Sequence, residues 1–387
     1  MNSWPFFDKE DIEKAQEILR SGKINYWTGS EGREFENEFS KYVGVNYSIA
    51  VDNGTNALIL AAYALGIGHG DEVIMSPRTF VASAFSIMHL GAKPIFVDID
   101  RNTQNINPDL IEQSITKKTK AIMAIHLAGW PCEMDKIQSI CKKYNLFLIE
   151  DCAQAHGAKY KGKSVGSFGD INAWSFCQDK IMTTAGEGGM LTTNNKDYWS
   201  KAWSFKDHGK NYDKVYHQKE HKPGFRWLHD DMGTNARMTE IQSGIGRIQL
   251  KKLDKWVEKR SLLADIFNNE FKNFTGLRTA IPENHIRHAY YKYYVFVEKN
   301  ALKTGQNRDF IVNQLHSQNV QCFTGSCSEI YLERAFDKIF PKPHHRLPVA
   351  YELSNSSLMF LVHPTLKEDD IFKIAQKTKK IVKECLR

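Results

Sequence analysis

The sequence predicts an α/β protein with a mostly parallel central sheet and a smaller α+β domain behind it. Three observations carry this. Short apolar runs alternate with helix-like segments between Tyr47 and Asn194, and the pattern turns to long helical periodicity from about Met238. In addition, 387 residues exceed the usual size of one compact domain. A large domain over 1–255 and a small C-terminal domain over 256–387 are therefore expected.

Taken in order, Asp8 to Leu19 is helical in pattern. SGKINYWTGSEG is a loop by its Gly, Ser and Thr content, and REFENEFSKYV is a second helix. The strand candidates are YSIAV, DEVIMS, KPIFVDI, KAIMAIHL, LFLIED, INAWSF and GMLTTN. Their alternation with helices argues for a parallel sheet covered on both faces. IQSGIGRIQLKKLDKWVEKRSLLADIFNNEF reads as a long helix leading out of the large domain. In the small domain YYKYYVFVE is the strand, and RDFIVNQLHSQ and the end of the chain are helices.

Composition narrows the function. Apolar residues at 42% and charged residues at 25% are those of a globular protein. No apolar run approaches the roughly 18 residues that span a bilayer, and the acidic start MNSWPFFDKEDIEK is unlike a secretory signal, so a cytoplasmic, membrane-free protein is expected. The seven cysteines, at 132, 141, 152, 177, 322, 327 and 385, include no CxxC pair and point to neither a disulfide framework nor a zinc site. The histidines of HIRH, His285 and His288, lack acidic or cysteine partners nearby and read as exposed strand-edge residues rather than metal ligands. The net charge of +7 is spread along the chain, and its one dense run, KTKKIVKECLR, suits the solvated face of a helix, so no nucleic-acid partner is expected.

In a doubly wound sheet, ligands bind beyond the carboxyl ends of the strands, and three polar groups stand there. Asn53-Gly54-Thr55-Asn56 follows YSIAV and opens a helix, whose free amides and dipole suit a phosphate, although a plain N-cap has the same appearance. Asp151 ends LFLIED; a carboxylate there can hold a pyridine nitrogen protonated, or can simply cap a helix. Lys180 lies between INAWSF and the glycine-rich GEGG, where a partly buried amine could attack an aldehyde. A phosphate seat, an acid for a ring nitrogen and a lysine for an aldehyde are together the parts of a pyridoxal phosphate site.

At these residues the chain resembles the DegT/DnrJ/EryC1/StrS family of sugar aminotransferases, within the fold-type I pyridoxal phosphate enzymes. The resemblance runs nearly end to end through NGTNAL, SPRTFVASA, KPIFVDID, IHLAGWPCEMDKI, IEDCAQAHGAKYKGKSVGSFGD, SFCQDKIMTTAGEGGM, FKDHG and GTNARMTEIQSGIG. It implies that Lys180 is the Schiff-base lysine and proton carrier, that Asp151 pairs with the pyridinium, and that Gln154 bonds the ring hydroxyl. It further implies that Thr55, Asn56 and Ser175 bind the phosphate and that Phe80 stacks on the ring. Asn235 would reach the phosphate of the neighbouring subunit, which makes the protein a homodimer with shared sites.

The implied reaction moves an amino group from L-glutamate to a nucleotide-linked keto sugar, most often an NDP-4-keto-6-deoxyhexose, for amino-sugar, O-antigen or related glycan biosynthesis. The related sugar 3-dehydratases carry histidine where Lys180 stands. An aminotransferase of a cyclitol or another ketone, or a non-catalytic regulator on the same fold, are the alternatives. Two departures from the family pattern bear on the substrate: QCFTGSCSEIY replaces the usual substrate-side loop, and YYKYYVF lacks a histidine often seen in that region.

Overall fold

A computed structural model describes residues 4–217, 224–337, 343 and 345–387. Its central sheet is built from β1 (Tyr47–Val51), β2 (Glu72–Met75), β3 (Lys93–Phe96), β4 (Thr119–Ile125), β5 (Phe147–Asp151), β6 (Ile171–Ser175) and β7 (Gly189–Thr193). These are the seven apolar runs singled out above, with ends that differ by up to three residues. The sheet order is β1-β7-β6-β5-β4-β2-β3. Pairing is parallel from β6 through β3, and β7 alone runs against its two neighbours. Apart from the edge strand β3, which is half-buried, and the exposed Lys120 of β4, the strands are buried on both faces, which is why they read as near-continuous apolar runs.

Strand direction decides where the site can form. Because β7 is antiparallel to both β1 and β6, those two strands point the same way as β2 to β5. The turns after β1, β2, β4, β5 and β6 therefore all open at one edge. Glycine is required where β7 begins at that edge: a Cβ on Gly189 would lie 2.4 Å from the carbonyl oxygen of Asn53.

The small domain carries β8 (Leu277–Thr279), β9 (Tyr293–Val297), β10 (Cys322–Phe323) and β11 (Ser357–Phe360), in the antiparallel order β8-β9-β11-β10. Leu263, Phe267 and Phe271 of the long helix, Ile311 and Leu315 of Arg308–Ser317, and Ile371 and Ile381 of Glu368–Cys385 form its core with the sheet. In Glu368–Cys385 the buried residues recur at helical spacing and leave its lysines outside, as expected of the C-terminal run. The helix Glu240–Phe271 is continuous through 255 and 256, so the expected division falls inside one rigid element. Buried groups tie the two parts together. Arg78, fully buried after β2, donates to Gln104, Ser328 and Ser357, and the Asp98 carboxylate accepts the amides of Val349 and Ala350 at 2.8 and 2.9 Å. These ties hold the loop 323–327 over the sheet edge, where Thr79 donates to the carbonyl of Cys327.

A second buried network shapes the turn after β5. Glu150 is inaccessible, and its carboxylate accepts the amides of Gly166, Phe168 and Gly169 at 2.7–2.8 Å and His126 Nε2 at 2.9 Å. The Cys132 amide donates to His126 Nδ1, so the ring proton is on Nε2 and points at Glu150. Ligand-type atoms of His126, Glu150 and Cys152 lie within 4.8 Å of one another, but the carboxylate is already saturated and burial raises the Cys152 thiol pKa. The cluster is a hydrogen-bonded brace. Glu150→Ala leaves these donors unpaired and is expected to lower unfolding free energy by about 3–5 kcal/mol. The shift of the urea midpoint measures it, and a midpoint close to wild type would contradict the role.

One expectation is corrected. His288 is not an exposed edge residue: it is 6% accessible, stacked on Tyr290 at 4.0 Å, with Nδ1 accepting the Tyr290 amide. Burial lowers its pKa to about 3, so it stays neutral. His285 is half-buried beside the short strand Ile286–Arg287, which pairs with Lys159–Tyr160 of the large domain. None of the described helices is long and apolar enough to cross a membrane. All seven cysteines are unpaired.

Candidate active site

The turns at the open edge of the sheet enclose a cavity of about 1050 Å³, closed on its far side by Tyr291, Lys292, Tyr294, Phe323 and Cys327 of the small domain. Both Lys180 and Asp151 line it.

Asp151 is the last residue of β5 and 6% accessible. Ser83 Oγ donates to one carboxylate oxygen at 2.8 Å and the Ala153 amide to the other at 3.1 Å. Burial raises its pKa, against which Ser83, Ala153 and the nearby positive charge of Lys180 act. A buried acid with spare lone pairs facing a cavity is suited to a cationic N–H.

Lys180 sits in the turn between β6 and β7. Its backbone is pinned from two sides: its amide donates to the Cys177 carbonyl, and Trp4 Nε1 donates to its carbonyl at 2.8 Å. The Thr183 amide is taken by Gln249 of the long helix at 2.8 Å. Beyond it Gly186 adopts φ 119°, a conformation that favours glycine and lets the chain turn back into β7. The amine stands 5.1 Å from the centroid of the Tyr291 ring and 3.4 Å from Asp179, with its side chain 16% accessible.

The third part is the start of the helix Gly54–Ala64. Asn53 caps it by accepting the Asn56 amide at 2.8 Å, which leaves the amides of Gly54 and Thr55 at the open end, where a helix offers its positive pole. A Cβ on Gly54 would lie 2.6 Å from Cβ of Ser175, so this helix end and the end of β6 meet as closely as glycine allows. Thr55 and Ser175 both line the cavity beside it.

Of the remaining predicted residues, Gln154 lines the cavity with its Oε1 accepting the Ala128 amide at 2.8 Å, which leaves its amide nitrogen to donate. Phe80 stands on the wall with 68% of its surface accessible, an apolar ring with an open face. Asn56 is turned away: its Nδ2 donates to both oxygens of Asp52 at 2.8 and 2.9 Å, and it is not in the cavity wall. Asn235 is exposed, paired through its backbone with Asp207 and also outside that wall. Sequence reasoning missed Ser83, Trp4, Asp179, Tyr291 and Lys292. Ser83 lies in the SPRTFVASA block and Asp179 adjoins Lys180, but nothing local marks Trp4, Tyr291 or Lys292, which folding brings in from far along the chain.

An anion seat at a helix end, a buried acid and a pinned lysine on one cavity fit pyridoxal phosphate group for group. With the mixed, mostly parallel sheet and the α+β small domain, they define a fold-type I pyridoxal-phosphate-dependent aminotransferase. A family model matches residues 5–379, and the chain belongs to the DegT/DnrJ/EryC1/StrS aminotransferase family. It is 35% identical over 376 residues to GDP-perosamine synthase of Escherichia coli O157:H7, covering 96% of each chain. It is 32% identical to the dTDP-3-amino-3,6-dideoxy-alpha-D-galactopyranose transaminase of Aneurinibacillus thermoaerophilus, over 96% of this chain and 94% of that protein. Among solved structures, an aminotransferase from Psychrobacter cryohalolentis superposes with a TM-score of 0.97 at 49% identity, over 99% of both chains.

Proposed function

We propose that this chain moves the amino group of L-glutamate to a keto sugar nucleotide, an NDP-4-keto-6-deoxyhexose, and works as a homodimer with shared sites. The observation that carries the reading is the meeting of Lys180 and Asp151 on one cavity beside an open helix end. Relatives named for GDP- and dTDP-linked amino sugars support a nucleotide-sugar acceptor. When bound, pyridoxal phosphate supplies an aldehyde that captures the amine and a ring that takes up the electron pair released as a Cα–H bond breaks.

The residues divide the work. Lys180 holds the aldehyde and carries the proton at Nζ. Asp151 keeps the ring nitrogen protonated, with Ser83 and Ala153 fixing its two oxygens. Gln154 donates to the ring hydroxyl, Phe80 covers the ring, and Thr55, Ser175 and the helix amides hold the phosphate. Asn56 joins them only after its side chain leaves Asp52. Asn235 serves the partner's site. The exposed Phe225, Trp227 and Met232, which are 77–82% accessible just before it in the chain, support an apolar contact with a second copy.

Two experiments test this. The purified enzyme is expected to show the cofactor's visible band, bleached by glutamate and restored by a keto sugar nucleotide, with ¹⁵N passing from glutamate to the sugar by mass spectrometry. Transfer to a cyclitol ketone alone would overturn the acceptor. Mixed Lys180→Ala and Asn235→Ala subunits are expected to regain activity, because one of the two sites in the hybrid is intact. No gain on mixing would place Asn235 in its own subunit's site or in none.

A further inference from the structure

Within the amino-transfer reading, on which this inference rests, we propose that Lys292 seats the carboxylate of the amino donor and so sets which donor the enzyme accepts. Among the described residues lining the cavity, Lys180 and Lys292 are the two lysines, and no arginine joins them. Lys180 is committed to the cofactor. Among the described residues, none gives Lys292 an ion pair of its own: one oxygen of Asp179 lies 3.4 Å from Lys180, and the other takes the Tyr291 hydroxyl. What holds the Lys292 amine in place is the Tyr291 ring, 4.6 Å away at its centroid.

The two nearby arginines are unavailable. Arg260 is 1% accessible, with its guanidinium donating to the carbonyls of Tyr290 and Tyr291 and packed on Trp4. Arg78 is fully buried, and each of its three nitrogens already donates, to Gln104, Ser328 and Ser357. An ammonium so placed is short of negative charge. Burial lowers its pKa to about 8, Arg260 and Lys180 push the same way, and Asp179 opposes them.

Position selects the donor over the nucleotide. Lys180 and Lys292 stand over the same aromatic ring, at 5.1 and 4.6 Å from its centroid. In an amino acid the carboxylate is on the carbon bearing the transferred nitrogen, so its charge must lie close to the reacting centre. In a sugar nucleotide the ring of the sugar separates the diphosphate from the reacting carbonyl. A charge-assisted hydrogen bond from Lys292 to the donor carboxylate meets the first requirement.

The test titrates the holoenzyme by calorimetry with glutarate, a dicarboxylate that has no amine to react, and separately with dTDP. Lys292→Met is expected to weaken glutarate binding by about 10- to 100-fold. Lys292→Arg should stay within a few-fold of wild type, and dTDP should bind all three alike. Unchanged glutarate binding in Lys292→Met, weakened dTDP binding instead, or no glutarate binding by the wild type would each overturn the proposal. Where Lys292→Met does not retain the cofactor's visible band, Lys292→Gln replaces it in the same comparison. The titration needs no turnover. A wild type that glutamate fails to bleach defeats the amino-transfer reading, while the titration still reports on Lys292.

Discussion

Lys180→Ala is expected to lower amino transfer by about 10⁴-fold or more, because in the proposed reaction it removes both the amine that holds the aldehyde and the base that moves the proton. Among the described residues of the cavity wall, Lys292 is the other lysine. Asp179 is tied to Tyr291, and Lys292 is held on the opposite domain by the same ring. The variant should still bind cofactor, since the helix end at Gly54–Thr55 and the acid at Asp151 are untouched. A single-turnover assay with glutamate, read by loss of the visible band, gives the rate. Activity within about tenfold of wild type would place the proton carrier elsewhere.

Asp151→Asn is expected to lower turnover by about 10²–10³-fold while cofactor affinity changes far less. The substitution keeps the shape of the side chain but removes the charge proposed to hold the ring nitrogen protonated. Ser83 and Ala153 can still orient what remains. In the proposed assignment cofactor affinity rests more on the phosphate, held by the helix end and Ser175 rather than by this residue. Turnover from stopped-flow and affinity from cofactor titration separate the two effects. Equal loss in both would make Asp151 a structural carboxylate.

Much of this candidate site's lining was legible in the sequence, for a definite reason. Buried parallel strands must be continuously apolar, so the residue at which polarity returns marks the edge where ligands bind. Asp151 and Ser175 are the last residues of β5 and β6, and Asn53–Thr55 follow β1 within a few positions. Lys180 stood out because a strand and a glycine turn bracket it. What escaped was tertiary. Trp4 reaches Lys180 across 176 residues, and Ser83 reaches Asp151 across 68. His288 looked like an edge residue because HIRH is polar, yet Trp130 and Tyr290 cover it. Asn56 shows the converse limit. Its position in NGTNAL suits a phosphate, but a carboxylate four residues back claims its side chain.

The apparent departures from the family pattern also gain a physical setting. Phe323 and Cys327 of QCFTGSCSEIY line the cavity, held there by the bond from Thr79 and the anchoring of Ser328 to Arg78. Lys292, within YYKYYVF, adds a cation to the same wall. Both changes fall on small-domain segments that line the cavity, whereas Asp151 and the helix end belong to the large domain.

In the proposed reaction the amine of Lys180, and no other, receives the cofactor's aldehyde. Borohydride reduction of the holoenzyme followed by peptide mapping tests it directly. A stable pyridoxyl label is expected on the peptide containing Lys180; a label on any other lysine, Lys292 included, would contradict the assignment.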